Sequence, residues 1–158
     1  RIYRNENLIK TVKDGSNKEA RWNMMMSATE GAMAFTKGLG AVHSMSHACG
    51  ANQELSLHHG TLNGVILPTV LRFNHGHVGD KYERISRSMG ISKSSDLAEI
   101  IEDLNSQIGL PKNLGDMGIV ADMIPELSQH SVVDVCSFTN PVVPSVEDYE
   151  KLFVEAIG

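Results

Sequence analysis

Apolar residues recur along this chain at helical spacing and almost nowhere in strict alternation, which predicts helices without a sheet. Segment 1–13 carries Ile2, Leu8, Ile9 and Val12 on a loose helical stripe that Asp14-Gly15 stops. Ser16 and Glu19 have the spacing of a capping box; Ala20, Met24, Ala28, Ala32 and Phe35 then run along a second helix as far as Gly38. Ala28, Gly31 and Ala32 give that helix a small-residue side suited to close packing. A short helix is predicted from residue 40 to about residue 48, broken by Cys49-Gly50-Ala51-Asn52. Segment 59–74 is apolar nearly all round, through Leu62, Val65, Ile66, Leu67, Val70, Leu71 and Phe73, the pattern of a central helix. Pro68 inside it predicts a kink or a nearby break, because proline brings no backbone donor.

Further on, Tyr82, Ile85 and Met89 mark a surface helix ended by Gly90. Segment 92–108 is the clearest amphipathic helix, with Leu97, Ile100, Ile101, Leu104 and Ile108 on one stripe and Gly109 behind it. Val120, Met123, Ile124 and Leu127 predict two short helices, Pro125 sitting near the start of the second. Thr139-Asn140-Pro141 reads as a loop, and Ser145 with Asp148 caps a last helix bearing Val146, Tyr149, Leu152, Phe153 and Ala156. Val132, Val133 and Val135 come nearest to a strand and are too few. The expectation is an all-α, orthogonal multi-helix bundle of about seven to nine helices, one domain over 1–158, with the 62–73 helix in its middle.

Composition narrows the function classes. A chain of 158 residues, 41% apolar and 21% charged, suffices for one well-buried domain. Its net charge of −5 and lack of a basic block offer nothing to nucleic acid or to an anionic membrane surface. The apolar run after Gly64 is far too short to span a bilayer. With 2 cysteines there is no disulfide framework, and a reducing, cytoplasmic setting is the expectation. The chain opens at Arg1, without methionine, in what reads as the middle of a helix; an excised domain is therefore expected.

The chemistry concentrates between Gly38 and Asn74, where His43, His47, His58 and His59 stand among glycines. His43 and His47 share one helix face, and His59 precedes Gly60, where a missing side chain would let another group approach. Neutral imidazole is the commonest protein metal ligand. His-x-x-x-His alone is a weak motif, however, and His43-Ser44-Met45-Ser46-His47 lacks the glutamate that a zinc protease places beside the first histidine. A catalytic metal usually takes at least three protein ligands and keeps one position open. His43 and His59 would supply two, His47 or His58 a third, and Glu30 and Glu54 are the nearest carboxylates. Cys49 reads as a small buried apolar residue.

The runs ARWNMMMSATEGAMAFTKGLGAVHSMSH, HHGTLNGVILPTVLRFN, GLPKNLGDMGI and TNPVVPSVEDYEKLF resemble the C-terminal helical domain of the iron-containing alcohol dehydrogenases. The resemblance covers essentially the whole chain and is most specific over 38–47, 59–74 and 139–141. It implies the dehydroquinate synthase-like helical fold and an enzyme that interconverts alcohols with aldehydes or ketones using NAD or NADP. The metal of that family, iron and sometimes zinc, is held by one aspartate and three histidines. By the resemblance His43 and His59 match two of those ligands, with His-Gly favouring His59 over His58, and His47 matches a proton-relay residue beside the nicotinamide. The family's Asp-x-x-x-His pair is not matched in this chain, nor is its N-terminal α/β nucleotide domain: Gly38-Leu39-Gly40 lacks the third glycine and follows a helix. Alone, the chain is expected to hold metal weakly, to bind no dinucleotide, to be inactive, and to expose an apolar face that favours self-association. A stand-alone helical module, binding a metal or a partner without redox chemistry, is the alternative.

Overall fold

The computed structural model describes residues 5–91 and 96–158. Among these are eight α-helices and no strand: α1 (Asn5–Lys13), α2 (Lys18–Ala34), α3 (Ala41–Gly50), α4 (His59–Asn74), α5 (Lys81–Ser88), α6 (Leu97–Gln107), α7 (Ile124–Val133) and α8 (Val146–Ile157). The all-α bundle read from the periodicity is the architecture observed. No helix among the described residues is long and apolar enough to cross a membrane.

α4 is the axis of the bundle, packed by α3, α6 and α8, while α7 closes against α3 and α8. Leu62 and Ile66 of α4 are fully buried with Met45, Leu114, Tyr149 and Phe153. Burying side chains of this size stabilises a fold by roughly 1.5–3 kcal/mol each. Buried Tyr149 keeps its hydroxyl satisfied by donating to Ser137 Oγ at 2.9 Å. Ser145 and Asp148 form the expected reciprocal cap of α8.

Several local expectations are corrected. Pro68 does not break α4, which runs from His59 to Asn74 without interruption. The carbonyl that loses its partner to Pro68 is that of Gly64, four residues back, and Asn105 Nδ2 of α6 donates to it at 2.7 Å. A side chain from another helix thus fills the missing bond, and Gly64 itself leaves room for Leu110. α3 continues through Cys49 to Gly50, past its predicted end at residue 48. The N-cap of α2 is Asn17, which accepts the Ala20 N–H; Ser16 instead bonds to Asp14. The predicted starts at residues 1 and 92 lie outside the described residues; within them α6 is capped by Asp96. The first of the two helices expected around Met123 is a single tight turn, Ala121–Met123. Ile85 of α5 is exposed, in keeping with the surface helix expected there.

α2 departs most from expectation. Ala28, Gly31 and Ala32 are exposed, so its small-residue side has no packing partner among the described residues. α1 and α2 pack chiefly on each other, and Trp22 and Met33 are 62% and 73% exposed. An apolar face without a cover is the result.

Candidate metal centre

Two loops aim the histidine-bearing helices. Gly38 lies at φ +94°, and a side chain there would collide with Thr139, whose hydroxyl donates to the Leu39 carbonyl. A Cβ on Gly40 would come within 2.8 Å of Asn140 Oδ1, the oxygen that accepts the Ala41 N–H at 3.1 Å and opens α3. Asn140 Nδ2 donates to Asn74 Oδ1 at 2.8 Å and to the Val142 carbonyl at 2.7 Å, and Asn74 Nδ2 returns a bond to Asn140 Oδ1 at 3.2 Å. The most distinctive stretches of the sequence, 38–47, 59–74 and 139–141, therefore meet in one buried knot. It fixes the start of α3 against the end of α4.

Held this way, α3 presents His43 and His47 one turn apart, and α4 begins with His59. The ring centroids of His43 and His59 are 5.3 Å apart, those of His43 and His47 5.8 Å, and those of His47 and His59 5.4 Å with the planes nearly parallel. Three of the four histidines singled out in the sequence, His43, His47 and His59, lie together. Ser46 Oγ, fully buried, sits 2.9 Å from His59 Nδ1 and leaves His59 Nε2 free to face the cluster. Asn63 Nδ2 lies 3.0 Å from His59 Nε2 and 3.5 Å from His43 Nε2, so both nitrogens face a common point. Asn63 Oδ1 is buried beside them with no partner. Burial, followed by the neighbouring His59 and His47, lowers the His43 pKa and favours the neutral ring. Two imidazole nitrogens and, among the described residues, an unpartnered buried amide oxygen are donors of the kind that suit a borderline divalent ion such as iron or zinc.

His58 serves otherwise. It is the N-cap of α4, its Nδ1 accepting the Thr61 N–H at 3.3 Å, and its ring occupies the space above Gly60. The glycine after His59 thus makes room for the His58 ring and not for a group approaching the cluster. Glu30 and Glu54 are both exposed, and Glu54 lies in the crossover where Asn52 caps its N–H. Cys49 is buried as expected, and burial pushes its thiol up to about 12.

Sequence reasoning missed Asp134 and Cys136. Asp134 Oδ2 lies 2.9 Å from His47 Nδ1, and Oδ1 accepts the Cys136 N–H at 2.8 Å, capping the turn Val135–Thr139. Burial pushes the Asp134 carboxyl upward, but bonds from the Cys136 N–H, the His47 ring and the Cys136 thiol outweigh it and hold the group below its ordinary value. The Cys136 thiol is pushed up to about 11, by burial first and then by Asp134. Among the described residues, His47, Asp134 and Cys136 are the one metal-ligating trio whose donor atoms lie within 4.8 Å of one another. Their donors already bond to each other, which makes them a hydrogen-bonded support for His47. Asp-x-Cys ahead of Thr-Asn-Pro was the available signal, a capping aspartate that no helical period marks.

A central helix packed by three others, with three imidazoles gathered at its start, defines an all-helical domain with a histidine cluster at one end of its axis. The family model described as "Fe-containing alcohol dehydrogenase family, C-terminal" matches residues 4–157, and the chain belongs to that family. It is 39% identical over 155 residues to 4-hydroxybutyrate dehydrogenase of Cupriavidus necator, covering 94% of this chain and 41% of the relative. To lactaldehyde reductase of Escherichia coli (strain K12) it is 34% identical over 146 residues, covering 87% and 38%. A crystal structure of 1,3-propanediol oxidoreductase superposes with a TM-score of 0.89 at 29% identity, over 96% of this chain and 42% of that one. The chain spans about two-fifths of the length of the curated relatives it matches.

Proposed function

We propose that this chain is the metal-binding part of a cytoplasmic, NAD(P)-dependent alcohol dehydrogenase that interconverts small alcohols with aldehydes or ketones by hydride transfer. The observation that carries this reading is the convergence of His43 Nε2 and His59 Nε2 on one point, with His47 stacked beside them. His43 and His59 would hold the ion. When bound, iron or zinc there polarises the oxygen of the substrate as a Lewis acid. Ser46 fixes the ring of His59 for that task, as outer partners of ligating histidines do. His47, with its ring 43% exposed, accepts the hydroxyl proton and passes it to solvent. Names of relatives such as lactaldehyde reductase and 4-hydroxybutyrate dehydrogenase support a small oxygenated substrate.

The uncovered apolar face of α2 is the proposed seat of an N-terminal nucleotide domain, which brings the hydride carrier and the remaining ligands. Reading the coding sequence upstream of Arg1 tests the proposal directly. A strand–helix nucleotide domain followed by Asp-x-x-x-His is expected, as is a full-length protein that reduces NAD or NADP with a small alcohol. In that protein His43→Ala should lose bound metal in elemental analysis. An upstream region without such a domain would favour the helical module.

A further inference from the structure

We propose that Asp134 is a positioning residue that locks His47 in the tautomer protonated at Nδ1, so that Nε2 is the nitrogen left to take a proton. This rests on the reading of His47 as the relay.

An ionised carboxylate only accepts hydrogen bonds, so the 2.9 Å approach of His47 Nδ1 to Asp134 Oδ2 requires the ring proton on Nδ1. Asp134 cannot swing away freely, because its other oxygen is engaged by the Cys136 N–H at 2.8 Å. The turn it caps ends at Thr139, whose hydroxyl bonds to Leu39, and Asn140 next to it caps α3 through the Ala41 N–H at 3.1 Å. The aspartate is thereby fixed relative to the very helix that carries His47. The ring plane is fixed as well: His47 lies against His59 at 16° between planes. Among the described residues His47 Nδ1 has a hydrogen-bond partner and Nε2 has none. The ring is thus oriented, its tautomer set, and its free nitrogen directed away from Asp134. In alcohol oxidation Nε2 would take the hydroxyl proton, and a bound nicotinamide would serve as the hydride acceptor.

Asp134→Asn separates this role from a structural one. Asparagine keeps an oxygen for the Cys136 N–H, so the turn remains capped, but its amide nitrogen now faces Nδ1 and donates to it. The ring proton must then move to Nε2. Nitrogen-15 spectra of histidine-labelled 158-residue chain, taken at about pH 8.5 where an ordinary imidazole is neutral, read the tautomer directly. The expected result is His47 protonated at Nδ1 in the wild type and at Nε2 in Asp134→Asn, with unchanged circular dichroism. A wild-type His47 protonated at Nε2, or divided evenly between tautomers, overturns the proposal, and this arm stands even if the variant misfolds. In the full-length enzyme Asp134→Asn should lower kcat about 10- to 100-fold, within the range of a misdirected acid–base group, and leave KM nearly unchanged. An inverted tautomer with undiminished kcat would overturn the positioning role. Absence of any NAD(P) turnover in the wild-type full-length protein would instead sink the dehydrogenase reading, and the spectra would still decide the tautomer.

Discussion

His43 sits partly out of water beside two other imidazoles, so burial first, then His59 and His47, oppose its protonation. In the unfolded chain histidine titrates near 6.5, with the folded ring below that, so in the window between them the unfolded state binds more protons. Stability is therefore full above the unfolded value and declines as pH falls toward the folded one. Urea unfolding of the metal-free chain should show a lower midpoint at about pH 5.5 than at about pH 7.5, with a shallower dependence in His43→Gln. A flat or reversed profile would refute the assignment. Metal affinity should move in the same direction, since the ligand is the neutral ring. His43, His47 and His59 could be singled out in the sequence because each belongs to a short local motif. Asp134 could not, because it lies 87 positions from the ring it orients.

At the scale of the helix, α4 and α6 are joined at a point where proline would ordinarily weaken the structure. Asn105 answers the carbonyl that Pro68 leaves unpaired. Replacing it with leucine should strand that carbonyl and destabilise the chain by about 1–3 kcal/mol in chemical denaturation. Pro68→Ala returns the N–H to the helix, so the double variant should recover part of the loss. Simple additivity of the two changes would show that the bond is not what couples them. Helix existence and type were legible from periodicity, and the Ser145–Asp148 cap from its spacing. Of the kink or break expected at Pro68, the break is absent for a reason invisible locally, since the replacement donor is contributed from 41 residues past Gly64. The cap of α2 was misplaced by one residue because Ser16 and Asn17 are both good caps, and Ser16 was drawn to Asp14.

Over the whole molecule, the bundle is complete where α3, α4, α7 and α8 meet and open along α2. The small-residue side of α2 was expected to pack closely, but among the described residues Ala28, Gly31 and Ala32 are exposed. Met25→Lys with Met33→Lys should therefore alter stability by no more than about 0.5 kcal/mol per site, while lowering the binding of a hydrophobic dye to the chain. Loss of folding in that variant would mean that the face is covered internally. The isolated 158-residue chain should also turn over neither NAD nor NADP with any small alcohol, because two imidazoles and a relay lack a hydride donor. Measurable turnover would contradict this division of labour.

The knot at Asn140 also sets a timetable. Its bonds join residues 66 and 99 positions apart, and the support of His47 spans 87. Contacts this distant form late, because much chain must be ordered before they close. On the ribosome, with synthesis near 5–20 residues per second, His43 and His47 emerge on the order of ten seconds before the residues that aim them. Until then the nascent histidines are unaimed imidazoles. If His43 and His59 hold the ion as proposed, the site takes shape only once this late knot closes, so a truncation within the final twenty or so residues should lower metal retention in elemental analysis as well as stability.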